Sequence, residues 1–457
     1  MKTNTLDFDA QALRERILDL AMRGKLVPQD PNNEPASTLL KSCDLKSANE
    51  QPHVIPRSWE WIVLGSAVKF INGRAYKKAE LLEDKSLTPV LRVGNLFTNS
   101  SWYYSDLQLD PDKYIDNGDL IYAWSASFGP RIWDGGHVIY HYHIWKLVLD
   151  QVVDKNYLYY FLLDKRNVIG ETDLHGSTMK HITKTNMEHL SFPLPPLIEQ
   201  QRIAAKIAQL FALLRKVESS TQQYAELQTL LKSKVLDLAM RGKLVKQDPN
   251  DEPASVLLEE IKAEKAELVK EKKIKRSKSL PPITDEEKPF NIPDSWEWVR
   301  LGDILKPEIH QKPQQNFLYI DIASVDNTIN KITNPTKVNV SNDKIASRAR
   351  QLLDSDDILF SVVRPYLKNI AMVPNTSDYK IGSTGFYVLK PFSLIDRKYI
   401  FYLVLSNYVI QNMTKKMKGD NSPSIRKGDL QNLVVPLPPR VEQKHIVDKI
   451  ISLYKLI

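Results

Sequence analysis

The side chains best suited to chemistry in this chain are donors, cations and aromatics gathered in Gly-, Asn- and Pro-punctuated stretches of two segments, 59–192 and 296–435. In the first segment Asn72, Arg74, Tyr76, Lys77 and Lys78 share one run, Arg92 stands three residues before Asn95, Ser125, Ser127 and Arg131 follow Trp124, and Ser177, Lys180 and His181 close the set. The second offers Lys312, Gln314 and Gln315, then Arg348 and Arg350, then Arg364, Tyr366, Lys368 and Asn369, and finally Lys415, Lys416, Lys418, Ser424 and Arg426. Arg presents a planar fork that matches guanine O6 and N7, Asn and Gln match adenine N6 and N7, and Lys meets phosphate. These residues are expected in loops as candidate contacts to nucleic acid, with a solvated polar surface as the competing reading for each.

Patterns for catalysis are missing from the sequence. There is no GxxxxGK[ST] phosphate loop, no HExxH, no GxSxG and no Asn/Asp-Pro-Pro-aromatic motif for holding a base during amino methylation. His141 and His143 alternate at strand spacing, but no carboxylate or cysteine cluster joins them, so packing or surface is the expectation and no metal is assigned. The single cysteine, Cys43, excludes an internal disulfide and a thiolate zinc site. Trp59 with Trp61, and Trp296 with Trp298, are expected in the first core strand of each segment rather than as platforms for bases.

The elements that must position these residues are repeated. Residues 17–37 and 235–255 agree at 18 of 21 positions, sharing LDLAMRGKLV, QDPN and EPAS. PRSWEW at 56–61 returns as PDSWEW at 293–298, and PLPPLIEQQRIAAKIAQLFALL at 193–214 returns as PLPPRVEQKHIVDKIISLYKLI at 436–457 with 11 of 22 positions identical. Between these anchors the copies keep only a faint echo. Asp119 parallels Asp357, Asp154 with Tyr157 parallels Asp396 with Tyr399, and Ile182-x-Lys184 parallels Ile425-x-Lys427. Two variable domains of one architecture on nearly identical connectors are the physical reading. The second PLPP block lacks the continuation that follows the first, and that continuation opens the chain; the first helix is therefore expected beside the last, with close termini and a pseudo-twofold arrangement.

From 197 to 241 there is no Gly or Pro, with prolines just before and Gly242 just after, which predicts one long helix. Ile203, Ile207, Leu210, Leu214, Val217, Tyr224, Leu227 and Leu231 follow coiled-coil spacing, so the helix is expected to span roughly 65 Å against an antiparallel composite of 441–457 and 11–23. The segments 138–149 and 381–390 read as strands, and 154–164 and 396–406 as short helices. The fold class expected is α/β (α+β): two globular domains separated by paired long antiparallel coiled-coil helices. The boundaries are a first helix and linker over 1–55, a domain over 56–192, a connector helix over 193–245, a charged linker or insertion over 246–292, a second domain over 293–435 and a final connector helix over 436–457.

Composition sets outer limits. The chain has 457 residues, 42% apolar and 26% charged, with a formal charge of +8, which suits a soluble multidomain protein with some leaning to anionic partners. That charge is unevenly held: 59–192 carries 14 basic and 16 acidic residues, whereas 296–435 carries 19 and 13. The first domain therefore cannot bind DNA by bulk charge. The opening lacks an apolar signal core and no run is long enough for a membrane helix, so a cytoplasmic location is expected.

Taken together, the two divergent domains, PLPPxxEQ before a long helix, LAMRGKLV, SWEWxxLG and the circular order of blocks resemble the specificity subunit of type I restriction-modification enzymes. The resemblance spans essentially the whole chain. It implies two target recognition domains, each reading half of a bipartite double-stranded DNA site, with the helices setting the spacer. It also implies a non-catalytic chain without a cofactor of its own. Two modification subunits would use S-adenosylmethionine to methylate adenine N6, and two restriction subunits would use ATP and Mg2+. Glu199, Gln200, Glu442 and Gln443, with Arg23, Lys25, Arg241 and Lys243 in the repeated boxes, are then the expected partner-binding residues, helix capping by the Gly and cations being the simpler reading of the boxes. The alternatives are a nuclease or methyltransferase with an unrecognised site, and a coiled-coil scaffold with no role on DNA.

Overall fold

The computed structural model describes residues 9–97, 100–125, 127–169, 183–276 and 279–457. They form two compact units, Met1–Gln222 and Gln223–Ile457, and the division falls inside one helix, Leu197–Met240.

In the first unit the repeated SWEW and PLPP blocks meet. Glu60–Val63 pairs antiparallel with Ser191–Leu194, in register from Glu60 opposite Leu194 to Val63 opposite Ser191. This ribbon closes off a domain of two four-stranded sheets. One sheet is antiparallel in the order Val68–Asn72, Ile144–Leu149, Leu120–Ala123, Gly129–Ile132. The other runs Tyr103–Ser105, Thr88–Leu91, Val138–Tyr140, Tyr114–Ile115, with its two central strands parallel. Leu120–Ala123 is buried on both faces because its alternating side chains serve two cores: Leu120 and Tyr122 pack with the frame, Ile121 and Ala123 with the second sheet.

The second unit repeats the frame. Glu297–Arg300 pairs with Val434–Leu437 in the matching register, and Leu305–Lys306, Phe386–Pro391, Ile358–Ser361 and Ile370–Met372 reproduce the first sheet's order. Its other sheet differs, with five strands ordered Ile309–His310, Ala349–Leu353, Lys380–Ser383, Phe317–Ile320, Thr336–Val338. Ile358 and Phe360 again face one core and Leu359 the other. Asp119 and Asp357, which precede the shared central strand, each pair with a lysine of the neighbouring strand: Asp119 with Lys146 at 2.7 Å, and Asp357 with Lys390.

The long helix packs differently along its length. Ile203, Ala204, Ile207, Phe211 and Leu214 join Leu18, Ala21 and Met22 of the antiparallel helix Ala10–Met22, with an Arg14–Glu218 ion pair at 2.5 Å. In the second unit Val235, Leu236, Ala239 and Met240 meet Ile446, Val447 and Ile450 of Arg440–Tyr454, and the Tyr454 hydroxyl donates to the Lys232 carbonyl at 3.1 Å. Val217, Tyr224, Leu227 and Leu231 are exposed, so among the described residues the seam expected from their spacing is covered towards its ends and open between them. Among the described residues the helices packed on it are shorter: Ala10–Met22 has 13 residues and Arg440–Tyr454 has 15, against 44 in Leu197–Met240.

The charged stretch after 246 is more ordered than a linker. Ala254–Lys270 starts as Ala36–Ser42 does, with Ala254 N–H bonded to the Ser295 carbonyl and Ala36 N–H to that of Ser58, but runs 17 residues instead of 7. Leu257 and Ile261 are buried, and Glu264 receives Lys306 and the Ser393 hydroxyl. Beyond it, the buried Arg300 guanidinium holds Glu287 bidentately and donates to the Pro281, Pro282 and Asn432 carbonyls, clamping the following segment onto the frame. The segments 138–149 and 381–390 are each two strands joined by a turn rather than one strand. Among the described residues no helix is long and apolar enough to cross a membrane.

Candidate nucleic-acid interface

Each unit gathers its candidate residues around the turns of its sheets. In the first, Gly73 ends the edge strand Val68–Asn72, and a Cβ there would stand 2.3 Å from the Tyr140 carbonyl oxygen. Lacking one, the chain lies against the turn at 141–143: Arg74 N–H bonds the Tyr140 carbonyl, Tyr142 N–H bonds the Arg74 carbonyl, and Trp124 N–H bonds the His143 carbonyl. Tyr76 stacks on His141 with ring centres 6.4 Å apart, and Trp124 meets His143 edge-on at 4.9 Å. His141 N–H bonds the Leu91 carbonyl, which brings Arg92 to the same region, its guanidinium 4.4 Å from the Tyr103 ring centre. Trp124, Ser125 and Ser127 precede the strand Gly129–Ile132.

This geometry revises the reading of the histidines. His141 and His143 lie in a turn, not at alternating positions of a strand, and their rings are 4.8 Å apart. Burial, with smaller effects of His143 and Arg92, pulls the His141 pKa down to about 4, so its ring is neutral near pH 7. Half-buried Trp124, which opens the candidate run 124–131, and exposed Tyr142, which the sequence-derived set lacks, belong to the same cluster. Their one sequence signal was aromatic density beside predicted turns.

Several predicted readers have internal occupations. Arg74 forks onto Glu80 at 2.8 and 3.1 Å, and Glu80 is held below the usual carboxylate range by that contact. Asn95 closes its own turn, accepting from Arg92 N–H and donating to the Ser101 carbonyl. Arg131 donates to the Leu96 carbonyl at 3.1 Å. A guanidinium or amide bonded to a local acceptor has fewer groups left for a base edge. Asn72, Lys77 and Lys78 are exposed. Ser177, Lys180 and His181 lie outside the described residues.

In the second unit Arg364, Tyr366, Lys368 and Asn369 occupy the connection between Ile358–Ser361 and Ile370–Met372, the counterpart of the 124–128 turn. Val363 bridges Ser424, and Ser424 bridges Lys418, so the 415–426 loop lies alongside. Lys415, Lys416, Lys418 and Arg426 are exposed and Ser424 is half-buried. Thr384 N–H bonds the Arg348 carbonyl while Val362 N–H bonds that of Gly385, which places Arg348 and the Arg364 loop on either side of one turn. Gln311 N–H bonds the Arg350 carbonyl, bringing exposed Lys312, Gln314 and Gln315 to that end. Turns far apart in sequence, several of them carrying exposed cations, are thus linked pairwise at this end of the sheets.

The predicted partner-binding glutamates and glutamines are elsewhere. Gln200 and Gln443 are wholly buried: each side-chain oxygen accepts the N–H of a helix-capping aspartate, Asp154 or Asp396, and each amide donates to a proline carbonyl, Pro195 or Pro438. The capping aspartates hold Tyr157 and Tyr399, whose hydroxyls reach the Pro193 and Pro436 carbonyls at 3.0 and 2.8 Å. Glu442 accepts from Trp296 Nε1 and Gln247, and Glu199 from Gln29; burial pushes both carboxyls up against the pull of these donors. All four side chains are thus buried and spent on internal hydrogen bonds that tie ribbon, connector and short helix together. Arg23 and Arg241 pair with Asp19 and Asp237, leaving Lys25 and Lys243 exposed. Gly24 and Gly242 end their helices at φ +65° and +67°, with Lys25 and Lys243 N–H bonding back to the Leu20 and Leu238 carbonyls.

The model of the type I restriction modification DNA specificity domain matches residues 56–228 and 293–457, one match beginning at each SWEW ribbon. The chain belongs to the type I restriction-modification specificity family. It is 30% identical to the EcoAI specificity subunit of Escherichia coli over 97% of this chain and 88% of that protein. To the EcoEI specificity subunit of Escherichia coli it is 32% identical, over 65% of this chain and 62% of that one. A solved HsdS subunit from Thermoanaerobacter tengcongensis is 37% identical, covering 36% of this chain and 44% of that chain with a TM-score of 0.34. In this type I specificity protein the family domain occurs twice, and the copies match in their frames and differ in the turns that carry the candidate donors.

Proposed function

We propose that this chain is the DNA sequence-specificity subunit of a type I restriction-modification complex and performs no bond chemistry itself. Each unit reads one half of a bipartite duplex target, through the 72–78, 92–95, 124–131 and 141–143 turns in one and the 312–315, 348–350, 364–369 and 415–426 turns in the other. The observation that carries this reading is the pairing of matching frames with rims that differ in sheet composition, loop content and charge. The second rim gains affinity from phosphates, while the first, with 14 basic and 16 acidic residues in its segment, depends on directed hydrogen bonds and aromatic contact.

The long helix fixes the separation of the half-sites, and linking two readers in one chain raises the effective concentration of the second once the first has bound. Two modification subunits, carrying S-adenosylmethionine, dock by a shared mode on the repeated connectors, where Lys25 and Lys243 are the exposed basic positions. Two restriction subunits supply the ATP- and Mg2+-dependent steps. Exchanging residues 59–192 for those of a relative of different specificity tests the division of labour. The methylated motif should change in one half only, and a change in both halves or neither would refute it.

A further inference from the structure

The connection between Ile358–Ser361 and Ile370–Met372 has the sequence Val-Val-Arg-Pro-Tyr-Leu-Lys-Asn, and its backbone is held in a form such sequences rarely adopt. Arg364 and Lys368 take φ +47° and +52°, left-handed conformations that a Cβ disfavours, on either side of the single turn Pro365–Leu367. Two such residues bracketing three others persist only when the surroundings over-determine them, and here they do. Pro365 is buried. Asn327 donates to the Leu367 carbonyl at 2.8 Å, and Asn330 to those of Lys368 and Ile370 at 3.0 and 3.1 Å. Arg364 N–H bonds the Pro423 carbonyl, its guanidinium bonds that of Asn421, and Lys368 Nζ reaches Asn407 at 3.1 Å.

All this anchoring leaves Tyr366 and Leu367 facing solvent, 46% and 39% exposed, at the tip of a rigid turn. Exposed apolar side chains are ordinary when scattered. A strained, fully braced turn that does nothing except present an aromatic and a leucine side by side is not. Exposed Arg364 adjoins the tip in sequence, and the Val363–Ser424 and Ser424–Lys418 bridges with the bond from Ile425 N–H to the Val362 carbonyl bring the segment carrying exposed Lys418 and Arg426 alongside the base of the turn. Apolar side chains among phosphate-binding cations are the means by which proteins enter and unstack a duplex step.

We infer that Tyr366 and Leu367 form a wedge that inserts into a base step of the half-site read by the second unit, with Arg364, Lys418 and Arg426 on the adjoining phosphates. This rests on the proposed DNA-reading function. The wedge contributes specificity through the ease with which that step unstacks, and the bracing lowers the ordering cost of insertion.

The test uses the complex assembled with its modification subunit and duplexes carrying 2-aminopurine at successive positions of the second half-site. Binding of the unaltered complex should brighten the probe at one step apart from the adenine that the modification subunit methylates, which is extruded in any case and is left out of the comparison. The Tyr366→Ala, Leu367→Ala double variant should lose that signal and bind the target at least tenfold more weakly with unchanged thermal unfolding, while Tyr366→Phe keeps both signal and affinity. Specific binding by the double variant with the signal intact would overturn the wedge and leave the DNA-reading function standing. Loss of assembly with the modification subunit, at equal DNA affinity, would assign the tip to a protein contact and also overturn it. So would an equal loss on replacing thymines by deoxyuridines with no brightening at any step, which marks a methyl contact in the groove. Failure of the unaltered complex to bind any duplex specifically would refute the DNA-reading function itself.

Discussion

Gln443 has no exposed surface, and its amide satisfies both the Asp396 N–H and the Pro438 carbonyl at the junction of ribbon, short helix and connector. Replacing it by alanine strands both groups away from water, an expected loss of about 1–3 kcal/mol that a denaturant titration of the second unit's unfolding measures directly. Gln443→Glu should fail to rescue, because a carboxylate has no donor for Pro438. His141 gives a prediction of opposite character. Its pKa lies near 4, below the usual 6.5, so between these values the unfolded chain binds more protons than the folded one. The stabilisation is complete above about pH 6.5 and is lost as pH falls towards 4. His141→Asn, which keeps an acceptor near the His143 N–H, should show a shallower acid decline in unfolding temperature than the unaltered protein, and an identical decline would contradict the assignment. At this scale the sequence revealed residue types but not their partners. Nothing in the sequence says that Glu80, six residues after Arg74, takes its fork. Repetition marks any shared constraint, and at the Glu-Gln pairs the one the structure shows is internal hydrogen bonding and packing.

At the scale of elements the sequence was far more legible. The 44 residues from Leu197 to Met240 form the helix that the proline and glycine boundaries predict, and the first strands start at Glu60 and Glu297 of the SWEW blocks, with Trp61 and Trp298 inside them and Trp59 and Trp296 just before. The echoes between the variable segments also have a cause: Asp154 and Asp396 cap helices, Tyr157 and Tyr399 tie those helices to the ribbon, and Asp119 and Asp357 anchor the central strand. The extent of the helix Ala254–Lys270 was obscured by its charge, since a run rich in Lys and Glu reads as solvated whether or not Leu257 and Ile261 are buried beneath it. The long helix yields the sharpest prediction of this class. Deleting seven residues within 217–230 shortens it by about 10 Å, or about three base pairs, while turning the downstream residues by only about 20°. The methylated motif should keep both halves and lose about that much spacer, and unchanged spacing would show that the helix is not the ruler.

For the whole molecule the central claim is division of labour: shared frames for assembly, unlike rims for reading, one chain joining two half-sites. Family membership was legible because it rests on the order of repeated blocks, which survives divergence. The target was not, because base contacts depend on loop geometry and on residues such as Tyr142 and Trp124 that have no motif. The most direct test is a genome-wide map of N6-methyladenine in the native host, with and without the gene for this chain. Deletion should abolish methylation at one split motif with a fixed gap, and restoring the gene should return it. A methylation pattern unchanged by deletion, in cells that express the modification subunit, would contradict the claim that this chain selects the sites.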